Sequence, residues 1–143
     1  MKEILFLCTG NTCRSPMAAV IAADVHGGAF RFVSRGVSVA FSSEASANAQ
    51  KAVELEFGLS LAGHESCGVT EEDLQRADLV LAMTRGHISH VLAVHPGYAD
   101  KCFTLCEYSG KGGGDVADPY GRGIDVYRAC ARELRGYIEK LPL

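Results

Sequence analysis

The chain is predicted to form one α/β domain, a four-stranded parallel sheet wound on both faces by helices. Three observations predict it. Short apolar runs alternate with stretches that carry helix start and stop signals, the pattern of β-α units feeding a parallel sheet. The run Asp78-Leu79-Val80-Leu81-Ala82-Met83 is apolar without alternation, as a central strand covered on both faces requires. No repeat, linker or low-complexity tract divides the 143 residues, and 48% are hydrophobic, enough for one core spanning residues 1–143.

Taken in order, the first strand is Ile4-Leu5-Phe6-Leu7, short, apolar and continuous. A helix opening at Pro16 follows, with proline tolerated at a first helical position, and Gly27-Gly28 ends it. Phe30-Arg31-Phe32-Val33-Ser34 alternates and reads as a second strand. Residues 41–47 are loop; Ser46 caps a helix over residues 47–57, which Gly58 terminates. A loop over residues 63–69 leads to Thr70 and the acidic turn Glu71-Glu72-Asp73, opening a short helix to Arg76.

The third strand is the run at residues 78–83, after which Thr84 caps a helix over residues 86–94, stopped by Pro96-Gly97. Lys101-Cys102-Phe103-Thr104-Leu105 is a fourth strand at a sheet edge, followed by a glycine-rich loop over residues 109–115. The last helix spans residues 124–141, with Ile124, Tyr127, Ala131, Leu134 and Ile138 along one face.

The chemistry concentrates between the first strand and the first helix, in Cys8-Thr9-Gly10-Asn11-Thr12-Cys13-Arg14-Ser15-Pro16. A tight loop at that place aims backbone N–H groups and a positive helix end at one point, which suits a phosphate-like oxyanion. Cys8 lies where those groups favour a thiolate nucleophile, and Arg14 can close its planar fork over two oxygens. Ser15 can donate its hydroxyl to the sulfur, and Gly10 and Asn11 tolerate the positive φ that a loop wrapped around an anion needs. Cys8 and Arg14 together suggest attack on phosphorus through a phosphocysteine. Cys8 alone would equally be a buried thiol at a strand end; the setting between strand and helix favours the site.

A second feature is Asp118-Pro119. A carboxyl group held near the phosphate can protonate a leaving group and then activate water, although Asp-Pro-x-Gly also serves as ordinary turn chemistry.

The loop of residues 8–16 resembles the phosphate-binding loop of the low-molecular-weight protein phosphatases, and most closely their bacterial protein-arginine-phosphatase branch. The resemblance covers nearly the whole chain. It implies a flavodoxin-like fold, Cys8 as nucleophile, Arg14 as phosphate ligand and Asp118 as general acid and base. It further implies that Asn11, Ser34 and His64 hold the loop in shape, and that Cys13 is a thiol able to form a disulfide with Cys8. Without the resemblance, His64 reads as an ordinary loop histidine and Cys13 as a small buried residue. Arg35 departs from the family's usual small residue at that place.

Substrate choice rests on few positions. Thr12 stands where tyrosine-directed relatives carry a bulky aliphatic residue, and Met83-Thr84 where they carry Met-Asp; both match the arginine branch. Short, polar Thr12 can orient a guanidinium rather than pack on a phenyl ring. Tyr120 points the other way, since the arginine branch tends to have Phe there. Phosphoarginine is the expected substrate, with phosphotyrosine the alternative. An arsenate reductase would need two relay thiols, for which Cys102 and Cys106 are the candidates, and a silent phosphate-binding module would keep the loop without turnover.

A net charge of −3 gives no footprint for nucleic acid or an anionic membrane. The six cysteines lack metal-finger spacing, and no signal-peptide or membrane-span pattern occurs. The expectation is a monomeric cytoplasmic enzyme with reduced thiols, needing no metal or cofactor and acting on a phosphorylated protein or peptide.

Overall fold

The structure, a computed structural model, describes residues 1–112 and 114–143; Gly113, within the expected glycine-rich loop, lies outside the described residues. Four strands form one parallel sheet: β1 (Lys2–Cys8), β2 (Phe30–Gly36), β3 (Leu79–Ala82) and β4 (Cys102–Thr104), in the order β2-β1-β3-β4. The helices are α1 (Arg14–His26), α2 (Ala47–Phe57), α3 (Glu71–Arg76), α4 (Arg85–Val94), α5 (Leu105–Tyr108) and α6 (Ile124–Glu139).

Strand pleating divides the core into two layers. Ile4 and Phe6 of β1, with Leu79 and Leu81 of β3, pack beneath Met17 and Ile21 of α1 and Leu134 and Ile138 of α6. Leu5, Leu7, Val80 and Ala82 point the other way, under Leu74 of α3 and Ile88 and Val91 of α4. Each fully buried aliphatic side chain here stabilises the fold by about 1.5–3 kcal/mol. The sheet is therefore doubly wound, as expected.

Local chemistry sets the element ends. Ser46 accepts from the Ala49 N–H to start α2, and Gly58 ends it in the left-handed region at φ 66°. Thr70 with Asp73, Thr84 with His87 and Thr104 with Glu107 each make a reciprocal capping box at α3, α4 and α5. That last box corrects one expectation: Leu105 leaves the strand and opens a short helix. Lys101 likewise belongs to a 3₁₀ turn, Pro96–Lys101, leaving β4 only three residues long.

Other boundaries shift by a few residues. The helix after the loop starts at Arg14 rather than Pro16, a 3₁₀ turn Gly27–Ala29 follows it, and β2 runs on to Gly36. β3 is trimmed to Leu79–Ala82 and the last helix ends at Glu139. On α6 the expected residues Tyr127, Ala131, Leu134 and Ile138 are buried and Cys130 joins them, while Ile124 is only partly covered.

The central strands β1 and β3 both end at the same edge, and that edge carries the loop of residues 8–15. There Val37 and Ser38 donate backbone N–H groups to the carbonyls of Cys8 and Thr9, and Ser46 donates to that of Thr12. The loop is thus laced to the segment after β2 along its whole length.

Candidate active site

Cys8, Thr9, Gly10, Thr12, Cys13 and Arg14 line a cavity of about 210 Å³ that Asp118 and Tyr120 close from the opposite wall. The first turn of α1 opens onto it with no side chain capping the helix, so its free N–H groups remain available to an anion.

Cys8 Sγ lies 2.9 Å from Ser15 Oγ. Asn11 Nδ2 donates to the same Ser15 oxygen at 2.9 Å and to Ser34 Oγ at 3.0 Å. Because Ser15 Oγ already accepts from Asn11, its own proton is free to go to the sulfur. The Arg35 carbonyl, 3.4 Å away, is the more distant alternative. Asn11 is fully buried and holds φ at 57°, the one non-glycine residue in the left-handed region among the described residues. Its Oδ1 accepts from the Cys67 N–H at 2.9 Å, and its carbonyl accepts from His64 Nε2 at 2.8 Å. Ser34 and His64 therefore both bond Asn11, one at its side chain and one at its carbonyl.

Arg14 is 5% exposed, and donates through one terminal nitrogen to the Val116 carbonyl at 2.9 Å. Its other terminal nitrogen stands 3.5 Å from Asp118 Oδ2. Asp118 is half exposed, and its second oxygen accepts from the Tyr120 N–H at 3.0 Å, the turn chemistry and the site chemistry in one residue. The loop that carries it is tied to the sheet edge by the Val116 N–H to the Met83 carbonyl, 2.9 Å, and by Asp115 Oδ1 accepting from the Arg85 N–H at the start of α4, 2.9 Å. Tyr120 is 74% exposed at the rim, and Thr12 is half-buried.

Cys13 is buried, with Ser46 Oγ at 3.3 Å and the Tyr127 hydroxyl at 3.4 Å. Burial and the bond to Cys13 push Tyr127 up to about 12, so it stays a phenol. Arg35, whose direction the sequence left open, turns away from the cavity. Its Nε reaches the buried Asp73 carboxylate at 3.2 Å and one terminal nitrogen donates to the Ser34 carbonyl at 2.8 Å, bracing the end of β2 against α3.

Three contributors escaped sequence reasoning. His87 is buried, its Nε2 2.8 Å from Thr9 Oγ1; the signal was present as a Thr84-x-x-His87 capping pattern. Burial, and then the Arg14 charge, push this imidazole down to about 4. Gly36 approaches the loop so closely that a Cβ there would lie 2.6 Å from the Thr9 carbonyl oxygen and 3.1 Å from Asn11 Cβ. Cys67 contributes through its backbone alone, which no side-chain pattern announces.

Comparison with known proteins gives the family. The family described as low molecular weight phosphotyrosine protein phosphatase matches residues 3–142. A protein-arginine-phosphatase of Geobacillus stearothermophilus is 44% identical over 139 residues, covering 97% of this chain and 93% of the relative. A crystal structure of a low molecular weight protein tyrosine phosphatase from T. tengcongensis superposes with a TM-score of 0.92 at 42% identity, covering 98% of this chain and 97% of that one. A structure of the YwlE arginine phosphatase, a Cys-to-Ser mutant with a phosphorylated active site serine, superposes with a TM-score of 0.90 at 39% identity, covering 96% and 91%. The chain belongs to the low molecular weight phosphotyrosine protein phosphatase family.

Proposed function

We propose that this phosphatase hydrolyses phosphoarginine side chains of proteins through a phosphocysteine on Cys8. The observation that carries the reading is the relay Asn11 Nδ2–Ser15 Oγ–Cys8 Sγ beneath a cavity walled by Arg14 and Asp118. The Cys8 thiolate attacks phosphorus in line with the departing guanidinium nitrogen, while the Arg14 fork and the N–H groups at the start of α1 hold the equatorial oxygens. A bound phosphoryl group displaces Asp118 from Arg14; the freed carboxylate takes up a proton from solvent and passes it to the leaving nitrogen as the P–N bond breaks. The resulting carboxylate then takes a proton from water, which attacks phosphorus; the P–S bond breaks and the Ser15 hydroxyl receives the returning thiolate. The related mutant with a phosphorylated active site serine supports a covalent phosphoryl acceptor at this place.

Overall similarity leans the same way, since relatives named protein-arginine-phosphatase are 44% and 40% identical against 37% for one named protein-tyrosine-phosphatase, although a solved structure named for tyrosine stands at 42%. Thr12 carries the choice: at the cavity wall it offers a hydroxyl where an aliphatic side chain would offer a surface for a phenyl ring. Tyr120, exposed at the rim, presents a ring face on which either a phenyl ring or a planar guanidinium can stack, so it does not outweigh Thr12. The arsenate-relay alternative loses support, because Cys102 packs in the α3–α4 layer and Cys106 in the α1–α6 layer, and burial pushes both thiols up. We assign Cys13 as the thiol that pairs with an oxidised Cys8, a role that rests on the resemblance.

The test is phosphate release from a phosphoarginine peptide, with rapid acid quench and mass analysis of the Cys8 peptide. Release with a transient phosphoryl adduct on Cys8, the release being lost in Cys8→Ser, supports the mechanism. Release that survives Cys8→Ser refutes it.

A further inference from the structure

The Met83-Thr84 pair was singled out by resemblance, but the catalytic scheme above uses neither residue. The geometry gives Thr84 a task. His87 Nδ1 lies 3.2 Å from the Thr84 N–H and 3.0 Å from its hydroxyl, while Thr84 Oγ1 accepts from the His87 N–H at 3.1 Å. A backbone N–H can only donate, so Nδ1 is the accepting nitrogen and Nε2 carries the ring proton. That proton has one partner within reach among the described residues, Thr9 Oγ1 at 2.8 Å. Thr9 Oγ1 therefore accepts, and its own hydroxyl proton is left over. Thr9 lines the cavity directly after Cys8, and no protein acceptor takes that proton among the described residues.

We propose that His87 is a positioning residue for phosphate recognition: locked by Thr84, it donates to Thr9 Oγ1 and so turns the Thr9 hydroxyl into a side-chain donor toward the bound phosphoryl group. A freely rotating threonine hydroxyl has to be turned toward the anion as it binds; the His87 bond occupies a lone pair and sets that orientation in advance. The groups facing the imidazole are Arg14 and His90, which disfavour its protonation, and Asp115 and Asp118, which favour it. Burial decides the balance for the neutral ring, so the tautomer persists through the working pH range. The relay ties the start of α4 to the loop between β1 and α1, at the proposed phosphate site.

The inference rests on the phosphatase reading of the loop. The experiment measures inhibition of the full-length enzyme by inorganic vanadate, a phosphate mimic, alongside kcat and KM for a phosphorylated peptide. Thr9→Val keeps the shape and the backbone N–H but removes the hydroxyl; His87→Phe keeps the ring and removes the donor. Each is expected to weaken vanadate about tenfold, or about 1.4 kcal/mol, and the double variant no further. Thr9→Ser and His87→Gln are expected to restore most of the affinity. Unchanged vanadate inhibition in Thr9→Val overturns the proposal, whatever happens to the fold of His87→Phe. Additive losses in the double variant overturn the relay. Wild-type protein that neither turns over phosphopeptide nor binds vanadate overturns the site reading itself, a separate result from either.

Discussion

Replacing Asn11 by Ala removes the residue on which the catalytic loop turns. Its side chain donates to Ser15 and Ser34 and accepts from the Cys67 N–H, all from a fully buried position at φ 57°. Losing the acceptor strands the Cys67 N–H, which costs about 1 kcal/mol at a site bordering solvent, and each serine hydroxyl loses a donor for a further 0.5–1 kcal/mol or so. Alanine in the left-handed region adds roughly 1 kcal/mol of strain. The total of about 3 kcal/mol corresponds to a Tm lower by roughly 6–12 °C for a domain of this size. The loss in kcat/KM is expected to be larger in proportion, about a hundredfold, because Ser15 loses the bond that directs its proton to Cys8 and the loop shifts by a fraction of an ångström. Thermal melts, steady-state kinetics and the rate of Cys8 alkylation report the three effects separately. Asn11→Gly relieves the strain but not the lost bonds, so it should recover about 1 kcal/mol of stability and little activity. A variant Asn11→Ala with wild-type Tm and kcat/KM would refute the view that this residue holds the loop.

Three other outcomes are expected. Gly36→Ala forces a Cβ within 2.6 Å of a backbone oxygen, so the loop must move: a loss of about 1–3 kcal/mol and reduced kcat/KM, against no change for Gly28→Ala, where nothing lies within 4 Å. His87 titrates near 4 in the fold against an ordinary 6.5, so between those values the unfolded chain takes up a proton the fold refuses. Its contribution is full above about pH 6.5 and is lost as pH falls toward 4, worth up to about 3 kcal/mol, and His87→Gln should flatten Tm against pH across that window. Asp118→Asn should lower kcat for phosphoarginine about 10²–10⁴-fold, and far less for an aryl phosphate with an acidic leaving group.

The layers and the sheet were legible because β1 and β3 are continuous apolar runs, and because Ser46, Gly58 and Thr70 carry local signals strong enough to stand alone. The short helix α5 was written in Thr104-x-x-Glu107, but the apolar Phe103 and Leu105 beside it read as strand, and only tertiary packing of Leu105 and Cys106 decides between them. The Cys8–Arg14 loop was legible as a compact motif. Asn11 was legible as a residue that tolerates a positive φ, but its bonds to Ser34 and His64 were not, since residues far apart in the chain meet only once the sheet forms. Gly36 and the Cys67 N–H act through backbone proximity, and Arg35 finds Asp73 across two elements; no spacing along the chain encodes these contacts.

The most direct test of the substrate assignment is kcat/KM for matched phosphoarginine and phosphotyrosine peptides, measured side by side on the wild type and Thr12→Ile. The wild type is expected to prefer phosphoarginine by about tenfold or more, about 1.4 kcal/mol, and Thr12→Ile to lose that preference. A wild-type preference for phosphotyrosine would contradict it.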